Sequence, residues 1–367
     1  MGMNVAGFLT AESGLGTAVR NAVCALKEAG IPYALSTVDC TDSRQDDTAL
    51  RGEILNQAPY TISLLHVNPD YATKALHSLP SEFFSDKYRI GYWTWESDIV
   101  PGSWIRFASN FHEIWTPSTY VQTILAHALP IPVHCVPHPI VVDPIQAVTR
   151  EELHLPHGFL FLCMFDYFSV FERKNPLGTI QAFRAAFEKS TPVHLVIKCI
   201  NGHLFPREHQ TLLDACHDDR ITILDSYLSS EKTRGLISLC DALVSLHYSE
   251  GFGLSLAEAM ALGTPVIATG FSGNTDFMNT ENSFPIDFFL RKTKKRYGCY
   301  PKGSHWAEAD IAHASAHMRA VFTQWESAAS RSAQAANDMA EHYSPARVGA
   351  LLAERIRNIT AQAVRPM

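Results

Sequence analysis

The sequence lacks three features that would place it in a special class of protein. It contains no run of 18 consecutive apolar residues, so it predicts no membrane-spanning helix. Its eight cysteines include no CxxC pair, and Cys163, Cys199 and Cys240 lie in or beside apolar runs, so we predict small core residues in a reducing compartment. The formal charge of −7 provides no excess of the positive charge that nucleic-acid binders carry.

Targeting signals are missing from the opening of the sequence. The stretch MGMNVAGFLTAESG turns polar after a few residues, unlike a signal peptide. Ala6 stands where a myristoylation motif needs Ser or Thr. We therefore expect a cytoplasmic protein, with peripheral association with a membrane from the cytoplasmic side as a further hypothesis.

Short apolar runs alternate with amphipathic stretches along the chain, which is typical of α/β proteins with parallel sheets. Its 367 residues, 46% of them hydrophobic, are enough for two such domains. The proline-rich stretch LPIPVHCVPHPIVVDP favours extended chain and marks their boundary. We predict a first domain over residues 1–140, a linker over 141–157, a second domain over 158–340 and a long amphipathic helix within 341–367.

Residues 249–274 combine a strand end, a glycine-rich turn and the start of a helix. Glu250 follows the strand ALVSLH, at the edge where ligands bind in open α/β sheets. Gly251 and Gly253 allow the backbone to turn tightly and approach a ligand. The free N–H groups of a helix beginning near Leu254 form an anion site, which a diphosphate would fit.

The two glutamates of this segment also have plainer interpretations. Ser255 and Glu258 match the S-x-x-E capping box, in which the Glu258 carboxylate reaches back to the backbone. Glu250 is alternatively a solvated carboxylate at the edge of the sheet. Composition and spacing leave these alternatives open.

The length of the motif favours the functional interpretation. Residues 250–268 resemble the E-G-F-G-L-x-x-x-E-A-M-A-x-G-x-P-V-I-A signature of the retaining nucleotide-sugar glycosyltransferases of family 4, and residues 12–16, 272–274 and 305–310 also look familial. The resemblance implies an α/β fold of the GT-B type. In it, two Rossmann-like, doubly wound domains face each other across a cleft, with the acceptor on the first domain and the nucleotide-sugar donor on the second. It also implies that the final helix packs back toward the first domain.

The resemblance assigns roles to residues of the motif. Glu258 would accept hydrogen bonds from the ribose hydroxyls of the donor, a task that suits a carboxylate, and Glu250 would contact the hydroxyls of the donor sugar. The phosphates would lie against the amides of Gly253 and Leu254. Phe252 belongs to the same donor-binding segment.

Relatives usually supply an Arg and a Lys that stabilise the departing diphosphate. Lys174 matches the Lys and, together with Glu250, is predicted to be catalytic. Residues 166–169, where the Arg of the family falls, contain none. Arg173 is the candidate substitute, with an exposed residue at a helix start as the alternative.

The function implied by the resemblance is transfer of a hexose from a nucleotide-diphosphate sugar to a glycan or lipid-linked glycan, as in polysaccharide biosynthesis. Relatives retain the anomeric configuration, need no metal, and let the leaving phosphate take the acceptor proton; no cofactor is expected beside the donor. Two alternatives stay open. One is another GT-B activity, such as a sugar-nucleotide epimerase or a phosphorylase. The other is a catalytically weak nucleotide-sugar-binding subunit, which the missing Arg favours.

Weaker candidates lie in the first domain. In this family the loop that contains Gly14 and Gly16 approaches donor and acceptor, and a plain turn is the alternative. Val19 replaces the third glycine of a dinucleotide fingerprint, which disfavours a dinucleotide. Core packing competes with a ligand role for tryptophans of this region. The candidates for sugar or acceptor contacts are His66, Trp95 and Glu96.

A basic run, residues 291–296, is flanked by Phe288, Phe289 and Tyr297. We consider peripheral contact with an anionic membrane through residues 288–297. A solvated loop between strands is the alternative. Two histidine pairs have metal-ligand spacing but no third ligand, so we predict surface roles and no metal site: His134 with His138, and His313 with His317.

Overall fold

The computed structural model describes residues 2–142 and 148–363, and the chain divides into two compact α/β units. Residues 143–147 of the predicted linker lie outside the described residues. Glu96–Asp98 lie within the predicted first domain but group with the second unit. The first unit consists of Met1–Trp95, Ile99–Val141 and Glu341–Met367, and the second of Glu96–Asp98 and Val142–Ala340.

The first unit contains a parallel sheet with α-helices in the connections. Ser13 and Ser118 cap two of these helices by accepting hydrogen bonds from the amides of Gly16 and Val121. The strands are β1 (Met3–Gly7), β2 (Tyr33–Thr37), β3 (Ile62–His66), β4 (Tyr88–Tyr92), β5 (Glu113–Thr116) and β6 (Val133–Cys135). They pair in the order β2-β1-β3-β4-β5-β6. The helices are α1 (Gly14–Glu28), α2 (Pro69–Ser78), α3 (Gly102–Phe107) and α4 (Thr119–Ala128).

The second unit repeats this plan, so the prediction of two Rossmann-like α/β domains is confirmed. Its strands are β7 (Phe159–Asp166), β8 (Val193–Ile200), β9 (Ile221–Asp225), β10 (Ala242–Ser245), β11 (Val266–Thr269) and β12 (Phe284–Ile286). They pair in parallel in the order β12-β11-β10-β7-β8-β9. The connecting helices are α5 (Phe171–Lys174), α6 (Pro176–Ala186), α7 (Pro206–Ala215), α8 (Ser230–Leu239) and α9 (Leu254–Ala261).

An antiparallel hairpin follows the second sheet. It joins β13 (Phe288–Lys292) to β14 (His305–Ala309), with Phe288 opposite Ala309 and Lys292 opposite His305. Arg291 and Lys292 therefore lie in a strand, so the alternative of a loop is wrong for these two residues. Three helices complete the described chain: α10 (Ile311–Thr323), α11 (Trp325–Tyr343) and α12 (Pro345–Ala363).

Each unit has its own hydrophobic core. In the second unit, the core joins strand residues such as Phe161 and Ile197 to Phe183 of α6 and Met318 of α10. In the first unit, it is completed by α12, whose buried apolar side chains pack against those of the sheet and α1. These α12 residues are Val348, Leu352, Ile356 and Ile359. Among the helices of the described residues, none has the length and hydropathy needed to cross a membrane.

Candidate active site

The turn between β10 and α9 forms the centre of the site. Gly253 precedes the helix with φ of +96°, a left-handed conformation that favours glycine. Because glycine has no side chain, it provides no side-chain cap for the N–H groups at the start of the helix. Ser255 is the second residue of the helix and not its N-cap, so the capping-box alternative for Ser255 and Glu258 is wrong. The uncapped helix start is suited to bind an anion.

Glu250 lies at this turn between two cations. Its carboxylate is 2.5 Å from Lys174 Nζ and 3.2 Å from Arg173 Nη1. Burial alone would raise the pKa of Glu250, but the charges of Lys174 and Arg173 lower the pKa to about 2. With 7% of its surface exposed, Glu250 is an ionised, paired carboxylate, and the alternative of a solvated one is wrong.

Arg173 is buried, which corrects the alternative of an exposed residue at a helix start. Only 3% of its surface is exposed. Its Nη1 donates to the carbonyl of Ser249 at 2.6 Å and its Nε donates to the carbonyl of Ser169 at 3.0 Å. The guanidinium thus ties the start of α5 to the backbone next to Glu250.

Glu258 lies one turn along α9, partly buried. Burial raises the pKa of its carboxyl to about 7, although the nearby positive charge of Arg234 opposes this rise. At neutral pH the group is therefore close to half protonated. Hydrogen-bond donors from a ligand would favour its ionised form.

The loop of residues 272–274 supports the turn before α9. From the sequence, these residues were recognised only as part of the family resemblance. Ser272 Oγ accepts from the Glu250 amide at 2.7 Å, and the Gly273 amide donates to the Glu250 carbonyl at 2.9 Å. A Cβ on Gly273 would lie 2.2 Å from the Gly251 carbonyl oxygen, so only glycine fits there. Buried His247 contacts Asn274 Oδ1 at 3.1 Å. In the sequence, a histidine at the end of the apolar run ALVSLH was the feature that could have identified His247.

The two candidate glycines of the first unit, Gly14 and Gly16, lie at the start of α1. A Cβ on Gly16 would lie 2.1 Å from the Ala11 carbonyl oxygen, so a close backbone approach accounts for Gly16. A Cβ on Gly14 would meet nothing within 4 Å. Close packing therefore explains the glycine at position 16. The space around Gly14 is open, so Gly14 stays a candidate for a ligand contact.

His66, Trp95 and Glu96 have different environments. His66 is buried and stacks on Tyr92 with ring centroids 4.1 Å apart, and burial lowers its pKa to about 4. Both of its ring nitrogens lack a hydrogen-bond partner among the described residues. Trp95 is 1% exposed and packs on Trp104, so core packing, not sugar stacking, accounts for it. Glu96 belongs to the second unit and accepts a hydrogen bond from the Tyr300 hydroxyl.

Among the described residues, no group of three or more His, Cys, Asp or Glu side chains is placed to hold a metal ion. His313 contacts Asp287 at 3.1 Å and its ring lies 4.3 Å from that of His317. The prediction of a surface role is wrong for His138, which is buried within hydrogen-bond distance of the Tyr92 hydroxyl.

Comparison with known proteins places this site in a recognised domain. Residues 165–286, which include the cation pair, the turn and α9, match the family described as glycosyl transferases group 1. The whole chain resembles HepE from Anabaena, solved in complex with UDP and glucose, with a TM-score of 0.68 and 12% identity over 98% of this chain and 100% of HepE.

Two further structures are similar over their whole length. Sucrose-phosphate synthase from Thermosynechococcus elongatus has a TM-score of 0.71 and 13% identity, and the match covers 99% of this chain and 100% of the synthase. A glycosyltransferase from Rickettsia africae has a TM-score of 0.68 and 13% identity, with 98% of each chain covered. At such identities the likeness establishes the fold. Residues 165–286 thus match the family described as glycosyl transferases group 1, in a chain with the GT-B fold.

Proposed function

We propose that this protein is a retaining glycosyltransferase of the family 4 type. It would move a hexose from a nucleotide-diphosphate sugar to a glycan or lipid-linked glycan acceptor, in polysaccharide biosynthesis. One observation carries the proposal. The ionised Glu250, paired with Lys174 and Arg173, lies next to the uncapped start of α9. A carboxylate, two cations and free amides are the groups needed to hold a sugar and its diphosphate.

The donor would use these groups along its length. Its diphosphate would bind the amides of Gly253 and Leu254 together with Lys174 and Arg173, since all carry positive charge or positive dipoles. Its ribose hydroxyls would donate to Glu258. Phe252 is buried against Phe277, with ring centroids 5.1 Å apart, so it would shape the turn and contribute its backbone.

The chemistry proposed here needs no proton from the protein. The bond from the anomeric carbon to the phosphate oxygen breaks as the bond to the acceptor oxygen forms, and the acceptor proton moves to the departing phosphate. A carboxylate with a pKa near 2 is a poor acid or base at neutral pH. Glu250 would therefore accept hydrogen bonds from sugar hydroxyls, while Lys174 and Arg173 stabilise the leaving charge.

The first test identifies the nucleotide. HepE has been solved with UDP and with UDP-glucose, so UDP is the first candidate, followed by GDP, ADP, CMP and dTDP. Thermal unfolding is measured for the wild type and for Glu258→Ala. A nucleotide at 100 times its Kd adds about 2.7 kcal/mol to the free energy of unfolding. We expect one nucleotide to stabilise the wild type and not the variant; stabilisation by none contradicts the proposed donor site.

A second test separates an enzyme from a binding subunit. Glu250→Gln removes the negative charge that competes with a diphosphate for Lys174 and Arg173, so UDP affinity should be kept or increased while turnover of the sugar donor falls about 100-fold or more. Lys174→Met should weaken UDP binding and turnover together. Wild-type binding without measurable turnover would favour the binding subunit.

We also propose peripheral contact with an anionic membrane through residues 288–297, with the protein on the cytoplasmic side. Phe289 and Leu290 are 63% and 55% exposed, although both are large and apolar. They adjoin exposed Arg291 and Lys292 on β13. Exposed apolar side chains next to basic ones favour the surface of an anionic bilayer.

Vesicle binding tests this contact. Replacing Lys292, Lys294 and Lys295 by Gln should reduce binding to phosphatidylglycerol-containing vesicles about 100-fold, since each basic residue near the surface contributes about 1 kcal/mol. The matched control replaces three exposed basic residues elsewhere in the second unit, and it should bind like the wild type. Equal binding by both triple variants would disprove the contact. The control residues are Lys189, Arg207 and Lys232.

A further inference from the structure

The turn of the β13–β14 hairpin packs against the short helix that carries Arg173. Tyr297 and Tyr300 close this turn with backbone hydrogen bonds of 2.8 and 3.1 Å. A Cβ on Gly298, whose φ is +54°, would lie only 2.8 Å from a methyl group of Val170. Val170 itself has a φ of +66°, a strained conformation for a β-branched residue. The hairpin turn thus lies against a strained backbone position three residues before Arg173.

Tyr300 contacts the guanidinium directly. Its ring centroid lies 5.8 Å from Arg173 Cζ, which is within the range of a cation–π contact. Only 4% of Tyr300 is exposed. The ring also packs on Trp306, at 5.9 Å between centroids. In such a dry environment the contact is stronger than at a surface.

Hydrogen bonds connect the hairpin to Glu96–Asp98, the segment that the second unit takes from the earlier part of the chain. The Tyr300 hydroxyl donates to Glu96 Oε2 at 2.8 Å. Ser97 and Ser304 are joined through their hydroxyls at 2.8 Å, and the His305 amide donates to Asp98 Oδ1 at 2.9 Å. The Tyr300 ring is therefore fixed at its hydroxyl as well as along its faces.

We propose that Tyr300 is a positioning residue of the candidate active site. Its ring caps Arg173, and its hydroxyl, held by Glu96, fixes the ring, so that the guanidinium stays against Glu250. Glu96 then acts through Tyr300 and not through contact with a sugar. This inference rests on the proposed function for its effect on the donor, but the contact between Tyr300 and Arg173 is testable without any ligand.

The first experiment measures UDP affinity by calorimetry. Tyr300→Leu removes the ring and should weaken UDP binding about tenfold, because Arg173 then loses the fixed position from which it would contact the diphosphate. Tyr300→Phe keeps the ring and should stay within about threefold of the wild type. Tyr297→Leu is the matched control, since Tyr297 shares the turn and packs on Trp306 at 5.0 Å. Equal losses in Tyr300→Leu and Tyr297→Leu would overturn the proposal.

The second experiment needs no nucleotide. Tyr300→Leu is introduced into the wild type and into Arg173→Met, and Tm is measured for all four proteins. If Tyr300 holds Arg173, the fall in Tm should be clearly smaller when Arg173 is already absent, because contacting residues are not additive. Equal falls would overturn the proposal. If the wild type binds none of the five candidate nucleotides, the donor assignment fails, and the Tm cycle still decides the role of Tyr300.

Discussion

Glu250 and Glu258 belong to one motif, yet their surroundings move their pKa values in opposite directions. Glu250 has two cations within 3.2 Å, and they outweigh the effect of burial. Glu258 is partly buried, and the positive charge of Arg234 does not outweigh the desolvation of its charged form. The protein therefore holds Glu250 ionised at all moderate pH values. Glu258 titrates in the physiological range.

The pH dependence of stability should identify Glu258. Because its folded pKa of about 7 exceeds the usual value for Glu, its protonated form favours folding. The contribution of Glu258 to the free energy of unfolding is fully present below pH 4.5 and is lost as pH rises through 7. Glu258→Gln should consequently be more stable than the wild type at pH 8, by roughly 2 kcal/mol, and similar to it at low pH. Chemical denaturation at several pH values measures this, and a constant difference would show that Glu258 does not titrate near 7.

The same titration should appear in nucleotide binding. Ribose hydroxyls donate to an ionised carboxylate, so UDP affinity should rise about tenfold as Glu258 ionises between pH 6 and 8. In Glu258→Gln, measured in parallel, the pH dependence of UDP affinity should reflect only the titration of the nucleotide itself. If both proteins show the same pH profile, the ribose does not bind Glu258.

At the scale of elements, α9 has a left-handed glycine at each end, and the two allow a matched comparison. Gly253 precedes the helix with φ of +96°, and a Cβ there would lie 3.1 Å from a Leu256 methyl group. Gly263 follows the helix with φ of +72° and open space around it. Both positions favour glycine, but only Gly253 lies at the uncapped start of the helix.

Alanine at either glycine should lower stability by about 1 to 3 kcal/mol, because both backbones are left-handed. Gly253→Ala should in addition weaken UDP binding, since the turn must shift to accept the methyl group. Gly263→Ala should leave UDP affinity unchanged. Thermal unfolding and calorimetry on the two variants test this. A loss of affinity in both would indicate general damage to α9 and not a site at its start.

The elements also show what could be predicted from the sequence. Most strands of the two sheets and the turn before α9 have strong local signals, namely apolar runs and glycines, whereas the short strand β6 lies in the proline-rich stretch that was predicted to be a connector. The β13–β14 hairpin was not predicted, because β13 is exposed and basic and so lacks the apolar alternation of a half-buried strand. Arg173 and Tyr300 could not be paired from sequence, since their contact depends on packing between residues far apart in the chain.

At the scale of the whole molecule, the first unit depends on a helix from the far end of the described chain. Arg355 of α12 donates through Nε to Glu113 Oε1 at 3.0 Å and through Nη2 to Glu113 Oε2. Glu113 is fully buried in β5, where the Tyr88 hydroxyl and the Trp115 ring N–H also donate to it. This ion pair fixes α12 onto the sheet.

Arg355→Met should destabilise the protein by about 3 to 5 kcal/mol, because it leaves the buried Glu113 charge without its cation. Burial alone would raise the pKa of Glu113, and Arg355 helps to lower it. In the variant this pKa rises, so the loss of stability should be larger at pH 7 than at pH 5. Denaturation at the two pH values measures this. Adding Glu113→Gln should restore part of the loss, and no restoration would contradict the ion-pair explanation.

The position of α12 also affects the order of folding during synthesis. The core of the first unit includes Val348, Leu352, Ile356 and Ile359, which leave the ribosome after the whole of the second unit. Domains whose residues are contiguous can fold as they emerge. Apart from Glu96–Asp98, the second unit is contiguous, so we expect it to fold first although it comes later in the sequence. The core of the first unit stays incomplete until α12 has been synthesised.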